Sequence, residues 1–172
     1  MSLVIPEAKR EAISAAVGRS VWETNVYDIH THLYDPAFGD LLLWGIDDQL
    51  VYHYLVAEAF RHFDIGYDDF WRLAKEEQAQ MIWDALFVEN SPLSEACKGV
   101  VTTLHSLGLG EELGRRDLAA IRRWYEMQDG SKFNEKVFRL AKLKYIVTSH
   151  SPFANPKQLA ASLDPPPTPP RY

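Results

Sequence analysis

The chain has 172 residues, of which 47% are hydrophobic and 24% charged, a composition typical of a globular domain and not of a disordered chain. The net charge is −6 with scattered basic residues, and no apolar run approaches the roughly 20 residues of a membrane span, so partners are expected to include neither nucleic acid nor a membrane. A single cysteine, Cys97, excludes an internal disulfide, and the first ten residues lack the apolar core of a signal peptide, so we expect a cytoplasmic protein.

The N-terminal part of the chain predicts a helix followed by a strand. Residues 6–18 favour a helix because Pro6 suits a first helical position and Ile13, Ala16 and Val17 form an apolar face. Residues 26–30 are rich in β-branched and aromatic side chains, which predicts a short strand.

The strand ends in the pattern Asp28-Ile-His30-Thr-His32. Alternate side chains of a strand point the same way, so these three polar residues are expected to share one side, with the imidazoles roughly 6–7 Å apart. Imidazole is a common zinc ligand, so His30 and His32 are predicted to bind a divalent metal such as Zn²⁺, with Asp28 orienting a ring. The alternative is two histidines in a turn, since His-x-His is common by chance.

Helical periodicity dominates the middle of the chain. Asp47 or Asp48 is expected to cap the first long helix, Asp68 or Asp69 the second, and the segment after Ser91 resembles a cap with an acidic first turn. The predicted helices cover residues 38–44, 47–63, 69–88, 91–107 (ended by Gly108), 115–128 and 131–142.

A second strand is predicted over residues 143–148, and the chain closes with a segment rich in proline, residues 164–172, which is unsuited to helix or central strand. Two parallel strands normally need a crossover of only about a dozen residues. The order of strand, long helical stretch and strand therefore favours a helical insertion between the first two strands of a barrel.

The arrangement resembles the uronate isomerase (glucuronate isomerase) family of the amidohydrolase superfamily. The residues that carry the resemblance are Tyr27-Asp-Ile-His-Thr-His-Leu33, Trp44 leading into Asp48-Gln-Leu-Val-Tyr-His-Tyr54, Ser91-Pro-Leu-Ser-Glu-Ala-Cys-Lys-Gly99, Thr103-Leu-His-Ser-Leu-Gly108 and Lys144-Tyr-Ile-Val-Thr-Ser-His-Ser-Pro-Phe153. The resemblance covers about residues 20–160.

The resemblance implies a (β/α)8 barrel that interconverts aldo- and keto-hexuronates, such as D-glucuronate and D-fructuronate. It implies a divalent metal, usually zinc, on His30 and His32, and it matches Tyr52 to a tyrosine that reaches the substrate. The further metal ligands and the substrate-binding arginines lie beyond residue 172 in the family, so the resemblance implies a uronate isomerase or a truncated part of one, and this 172-residue chain alone is expected to be inactive. His150 follows the second strand and is expected near the site.

The expected fold class is thus mainly α, with a helical insertion domain flanked by the first two strands of an incomplete metal-dependent-hydrolase-type barrel. The expected regions are an N-terminal helix (1–24), the first strand with its metal-motif loop (25–34), the helical insertion domain (35–142), the second strand and loop (143–160) and a Pro-rich tail (161–172).

Two other functions remain open. One is another metal-dependent hydrolase of the superfamily, and the other is a non-catalytic helical fragment that self-associates, as a homo-oligomer, through an apolar surface. Among other residues, His53, His62 and His105 are expected to be packed or at the surface, and Arg115-Arg116 and Arg122-Arg123 to form a solvated face. Cys97 is expected to be buried, and the five tryptophans to belong to the core.

Overall fold

A computed structural model describes residues 5–31, 33 and 43–148 of the chain. This part is mainly α-helical and contains a parallel two-stranded sheet, as expected from the sequence. Its elements are α1 Glu7–Glu23, β1 Val26–Thr31, α2 Ile46–Leu50, α3 His53–Ala59, α4 Tyr67–Phe70, α5 Lys75–Trp83, α6 Glu95–Leu107, α7 Gly110–Gly114, α8 Leu118–Glu126, α9 Gly130–Leu140 and β2 Leu143–Thr148. Within the described ranges, none of the helices is both long and apolar enough to cross a membrane.

The core lies among α2–α9, which we call the helical body. Because its helices are short, each contributes only a few apolar side chains, and the core depends on their convergence. Trp83 stacks on Phe87 with ring centroids 4.7 Å apart, and its indole N–H donates to the carbonyl oxygen of Arg116 at 3.2 Å. The largest fully buried side chains are Trp83, Phe70, Phe87, Ile46, Leu50, Ile82, Leu86, Leu104, Leu109, Ile121 and Cys97.

The helix ends of α6 follow capping chemistry that the sequence shows directly. The Ser94 hydroxyl accepts a hydrogen bond from the backbone N–H of Cys97 at 3.1 Å, which satisfies a donor in the first turn. At the other end, Gly108 has φ = 90°, a left-handed conformation that glycine adopts without steric cost. The prediction that Gly108 ends this helix is confirmed, while the helix begins at Glu95 and not at Ser91.

The prediction of a single helix over residues 47–63 is wrong, because this segment forms two helices, α2 and α3. Tyr52 has an extended backbone (ψ = 141°), and this break rotates α3 so that it buries Leu55 and Val56 while Tyr54 stays 64% exposed. The proposed caps Asp47 and Asp48 lie in the first turn of α2 instead.

The helix predicted over residues 69–88 is also interrupted, since α4 ends at Phe70 and α5 begins at Lys75. The buried Gln78 side chain explains the turn between them, because its amide donates to the backbone carbonyls of Phe70 at 3.0 Å and Leu73 at 3.3 Å. After Trp83 the chain continues as a π-helical turn over Asp84–Val88. The N-cap of α4 is Gly66, so the prediction that Asp68 or Asp69 caps this helix is wrong.

The remaining helix boundaries differ by smaller amounts, and two side-chain predictions need correction. α1 extends to Glu23, and the segment predicted as one helix over residues 115–128 has α8 alone within it, preceded by α7. Trp22 is 70% and Trp71 44% exposed, so the tryptophans are not uniformly core. Arg122 is largely buried and paired with Asp47, so it does not belong to a solvated face.

The sheet joins the two ends of the described chain. β1 pairs with β2 in parallel, with Tyr27 opposite Tyr145 and their rings 4.9 Å apart. Exposed apolar side chains remain on both strands, Ile29 at 76% and Val147 at 47%. No side chain of α1 is buried among the described residues. The sheet and α1 therefore contribute little to the core, and β2 connects them to the helical body through α9.

Candidate functional site

The C-terminal end of β1 carries the candidate metal ligand His30. Asp28 lies two residues before it, half-buried, and its Oδ1 atom accepts a hydrogen bond from the backbone N–H of His30 at 3.0 Å. A second bond of the same spacing follows, from the backbone N–H of Leu33 to the Thr31 hydroxyl at 3.1 Å. Such short-range bonds compete with the sheet ladder for backbone donors, so they shape the strand end around the histidine.

The pairing of β1 with β2 is irregular at the same place. Asp28 is opposite Ile146 and Thr31 is opposite Thr148, so three steps along β1 match two steps along β2. An extra residue of this kind disrupts strict alternation and re-aims the side chains around it. Regular alternation of side chains along β1 therefore does not by itself place Asp28 and His30 on the same side of the sheet.

The other two predicted site residues near this edge, His32 and His150, lie outside the described residues. The structure thus brings Asp28 and His30 together and leaves the shared placement of His30 and His32 as a prediction. His30 itself is exposed at the strand end.

The donor chemistry fits part of a zinc site. Imidazole nitrogens suit Zn²⁺, and catalytic zinc usually takes three protein ligands and leaves one position open. Among the described residues, no group of three or more histidine, cysteine, aspartate or glutamate side chains is placed to hold a metal ion. His30 with His32 would accordingly supply two ligands of a site that needs at least one more.

Tyr52 lies on another element, immediately before α3. Its ring centroid is 4.2 Å from that of His53 and 5.6 Å from that of Tyr54, and the rings of His53 and Tyr54 are 4.1 Å apart. His53 and Tyr54 are exposed, as expected for His53. The three rings form a surface cluster of polar side chains. The sequence predicted only Tyr52 as a site residue, although the contiguous run Tyr-His-Tyr is the signal that could have identified all three.

Two polar contacts fix α2, the element that leads into this cluster. The Gln49 side-chain amide donates to the Tyr125 hydroxyl at 2.8 Å, and Arg122 donates from Nε to both carboxylate oxygens of Asp47, at 2.9 and 3.2 Å. Burial raises the pKa of Tyr125 to about 12, although the hydrogen bond from Gln49 opposes the rise. The hydroxyl is therefore neutral at physiological pH and serves as the acceptor in this contact.

Comparison with solved structures finds a similar enzyme. The chain is similar to a uronate isomerase from Bacillus halodurans C-125, with 39% sequence identity and a TM-score of 0.83. The similarity covers 94% of this chain and 37% of the other, so the chain spans somewhat more than a third of the length of that protein. No protein-family model and no curated protein matches the chain.

Proposed function

We propose, on the premise that this chain resembles the N-terminal portion of a uronate isomerase of the amidohydrolase superfamily, that it supplies part of the active site for the interconversion of hexuronates. The single observation that carries the proposal is the similarity in sequence and structure, which covers 94% of this chain. The substrate class would include D-glucuronate, with D-fructuronate as the product.

In this proposal, β1 and β2 are the first two strands of a (β/α)8 barrel, and residues 35–142 are an insertion between them. Their parallel pairing supports it, because such barrels are built from parallel strands. Residues 25–34 and 143–160 would be strands with their loops, flanked by an N-terminal region (1–24) and a Pro-rich tail (161–172). Catalytic residues of these barrels lie at the C-terminal ends of strands, where β1 presents His30.

His30 and His32 would hold a divalent metal, most simply Zn²⁺. When bound, the metal would polarise substrate oxygens and stabilise negative charge that develops on them. Asp28 contributes by fixing the backbone of His30 through its carboxylate, and it is the residue proposed to orient the site around the ligand.

Isomerisation moves a proton between adjacent carbons, and it needs a positioned base and donors aimed at the developing oxyanion. Tyr52 is the proposed substrate contact in the helical body, with its hydroxyl as a hydrogen-bond donor. Its ring contacts with His53 and Tyr54 support this proposal, since neighbouring polar rings at a surface offer several donors to a sugar.

The described residues provide two strands where a closed barrel needs eight, so we expect the 172-residue chain alone to bind zinc weakly and to lack isomerase activity. Zinc titration of the purified chain tests the metal site. Binding should fall in His30→Ala and stay unchanged in His62→Ala, an exposed histidine after α3. Equal zinc affinity in all three proteins would contradict the proposed ligand. Conversion of glucuronate by the purified chain, abolished by His30→Ala, would contradict the expected inactivity.

A second candidate function is self-association without catalysis, as a homo-oligomer. The observation that favours it is the exposure of apolar side chains on the sheet, where Tyr27 is 57%, Ile29 76% and Tyr145 52% exposed. A two-stranded sheet is marginally stable in water unless another layer covers it. Sedimentation should then show an oligomer that Ile29→Lys dissociates, whereas a monomeric wild-type chain would contradict this function.

A further inference from the structure

Lys142 occupies the junction between the helical body and the sheet. It lies between the end of α9 and the start of β2, and its backbone is left-handed, with φ = 52°. A residue with a β-carbon adopts this conformation at a steric cost, so glycine or asparagine is more usual there. An unfavourable backbone conformation persists only where its surroundings hold it, so the contacts of Lys142 must stabilise this conformation.

Three elements meet at this residue. Its backbone carbonyl accepts a hydrogen bond from the N–H of Val26 at 2.9 Å, which is where β1 begins. Its side-chain amine donates to the backbone carbonyl of Trp22, in the last turn of α1, and lies over the Trp22 ring, 4.6 Å from its centroid. Its own N–H points back to the carbonyl of Arg139 at the end of α9, at 3.4 Å.

The side-chain contact is chemically well matched. The last carbonyls of a helix have no intrahelical donor and carry the negative end of the helix dipole, so an ammonium group there satisfies an acceptor and a charge at once. The ring of Trp22 adds a cation–π attraction to the same group. α1 buries no side chain among the described residues, and this contact restrains its C-terminal end.

We propose that Lys142 is a positioning residue that sets where β1 begins along β2 and thereby where His30 stands at the far end of β1. Thr24 and Asn25 are the only residues between α1 and β1, so holding the last turn of α1 also holds the first residue of the strand. The role in placing a metal ligand rests on the proposed function of His30, whereas the junction itself is a property of the fold.

Hydrogen exchange of the full chain tests the junction with Lys142→Gly, Lys142→Arg and the control Lys144→Ala. Glycine relieves the left-handed backbone and removes the amine, arginine keeps a cation, and Lys144 is an exposed neighbour on β2. We expect the amides of β1 to exchange several-fold faster in Lys142→Gly only, with exchange in α6 unchanged. Unchanged or slower exchange of β1 in that variant would overturn the proposal.

Zinc titration of the same proteins tests the link to His30. The affinity should fall in Lys142→Gly and recover in Lys142→Arg. Faster exchange of β1 with unchanged zinc affinity would overturn the positioning role. If the wild-type chain and His30→Ala bind zinc equally, the proposed metal site fails, and the exchange measurements still decide whether Lys142 holds β1.

Discussion

Replacing Arg122 with methionine is expected to destabilise the helical body more than its position on a polar helix suggests. The Arg122 side chain is 16% exposed, and its guanidinium donates to Asp47, to the Gln80 side chain at 3.2 Å and to the backbone carbonyl of Glu76 at 2.9 Å. It therefore joins α8 to both α2 and α5. Methionine keeps much of the apolar stem while removing every one of these donors.

The expected loss is about 2 kcal/mol in the free energy of unfolding. Breaking a fully buried ion pair costs about 3–5 kcal/mol, and hydrogen bonds to charged groups contribute about 1.5–3 kcal/mol each. The Asp47 side chain is 25% exposed, so water compensates for part of the lost pairing and the loss falls below the range for a fully buried pair. The control is Arg123→Met on the exposed neighbour, which should change stability by less than about 0.5 kcal/mol.

The loss should also depend on pH, because the orphaned group is a carboxylate. Burial raises the pKa of Asp47, while the hydrogen bond and charge of Arg122 lower it. Without Arg122 the folded-state pKa rises further above the unfolded value, so the folded state is penalised above that pKa and relieved as the pH falls through it. The difference in stability between variant and wild type should therefore be larger at about pH 7 than at about pH 4.

Urea unfolding followed by circular dichroism measures both effects, at each pH, for wild type, Arg122→Met and Arg123→Met. A double-mutant cycle with Asp47→Asn isolates the pairwise contribution. Equal losses of stability in Arg122→Met and Arg123→Met, or a loss in Arg122→Met that does not change with pH, would contradict the assigned role of the Arg122–Asp47 pair.

Two further substitutions test the core and a helix end. Trp83→Ala removes a 1% exposed ring stacked on Phe87 and should lower the free energy of unfolding in urea by about 3–5 kcal/mol. The control Trp71→Ala, at a 44% exposed position, should lower it far less. Equal losses would contradict the assigned core. Gly108→Ala places a β-carbon on a backbone with φ = 90° and should destabilise the protein by about 1 kcal/mol or more. The control Gly99→Ala, inside α6 with open space around it, should be neutral or stabilising. A stabilised Gly108→Ala variant would be inconsistent with the left-handed end of α6.

Local signals in the sequence predict the strands and several helix ends well. β2 lies at the predicted residues 143–148, and β1 extends the predicted strand by Thr31 alone. The Gly108 end of α6 is likewise predicted, because glycine relieves a left-handed backbone whatever surrounds it. The buried state of Cys97 also agrees with its apolar helical context.

Features that depend on particular side-chain contacts are missed. The turn before α5 depends on the Gln78 side chain bonding to Phe70, and Arg122 is buried because Asp47 comes from another helix, so neither follows from periodicity. At the candidate site, the pattern identifies His30 as an imidazole at a strand end. The irregular pairing beside His30 depends on β2, which lies more than a hundred residues later in the chain, so the sequence of β1 alone does not predict this irregularity.

The parallel pairing of β1 with β2 has a consequence for the order of folding during synthesis. All of residues 32–142 lie between the two strands, so the contact between them closes a long loop. The helical body is held largely by contacts between helices near each other in the chain, and such local structure forms early. β1 emerges from the ribosome long before β2, and until the two strands pair, the backbone donors and acceptors of β1 are open to chaperones.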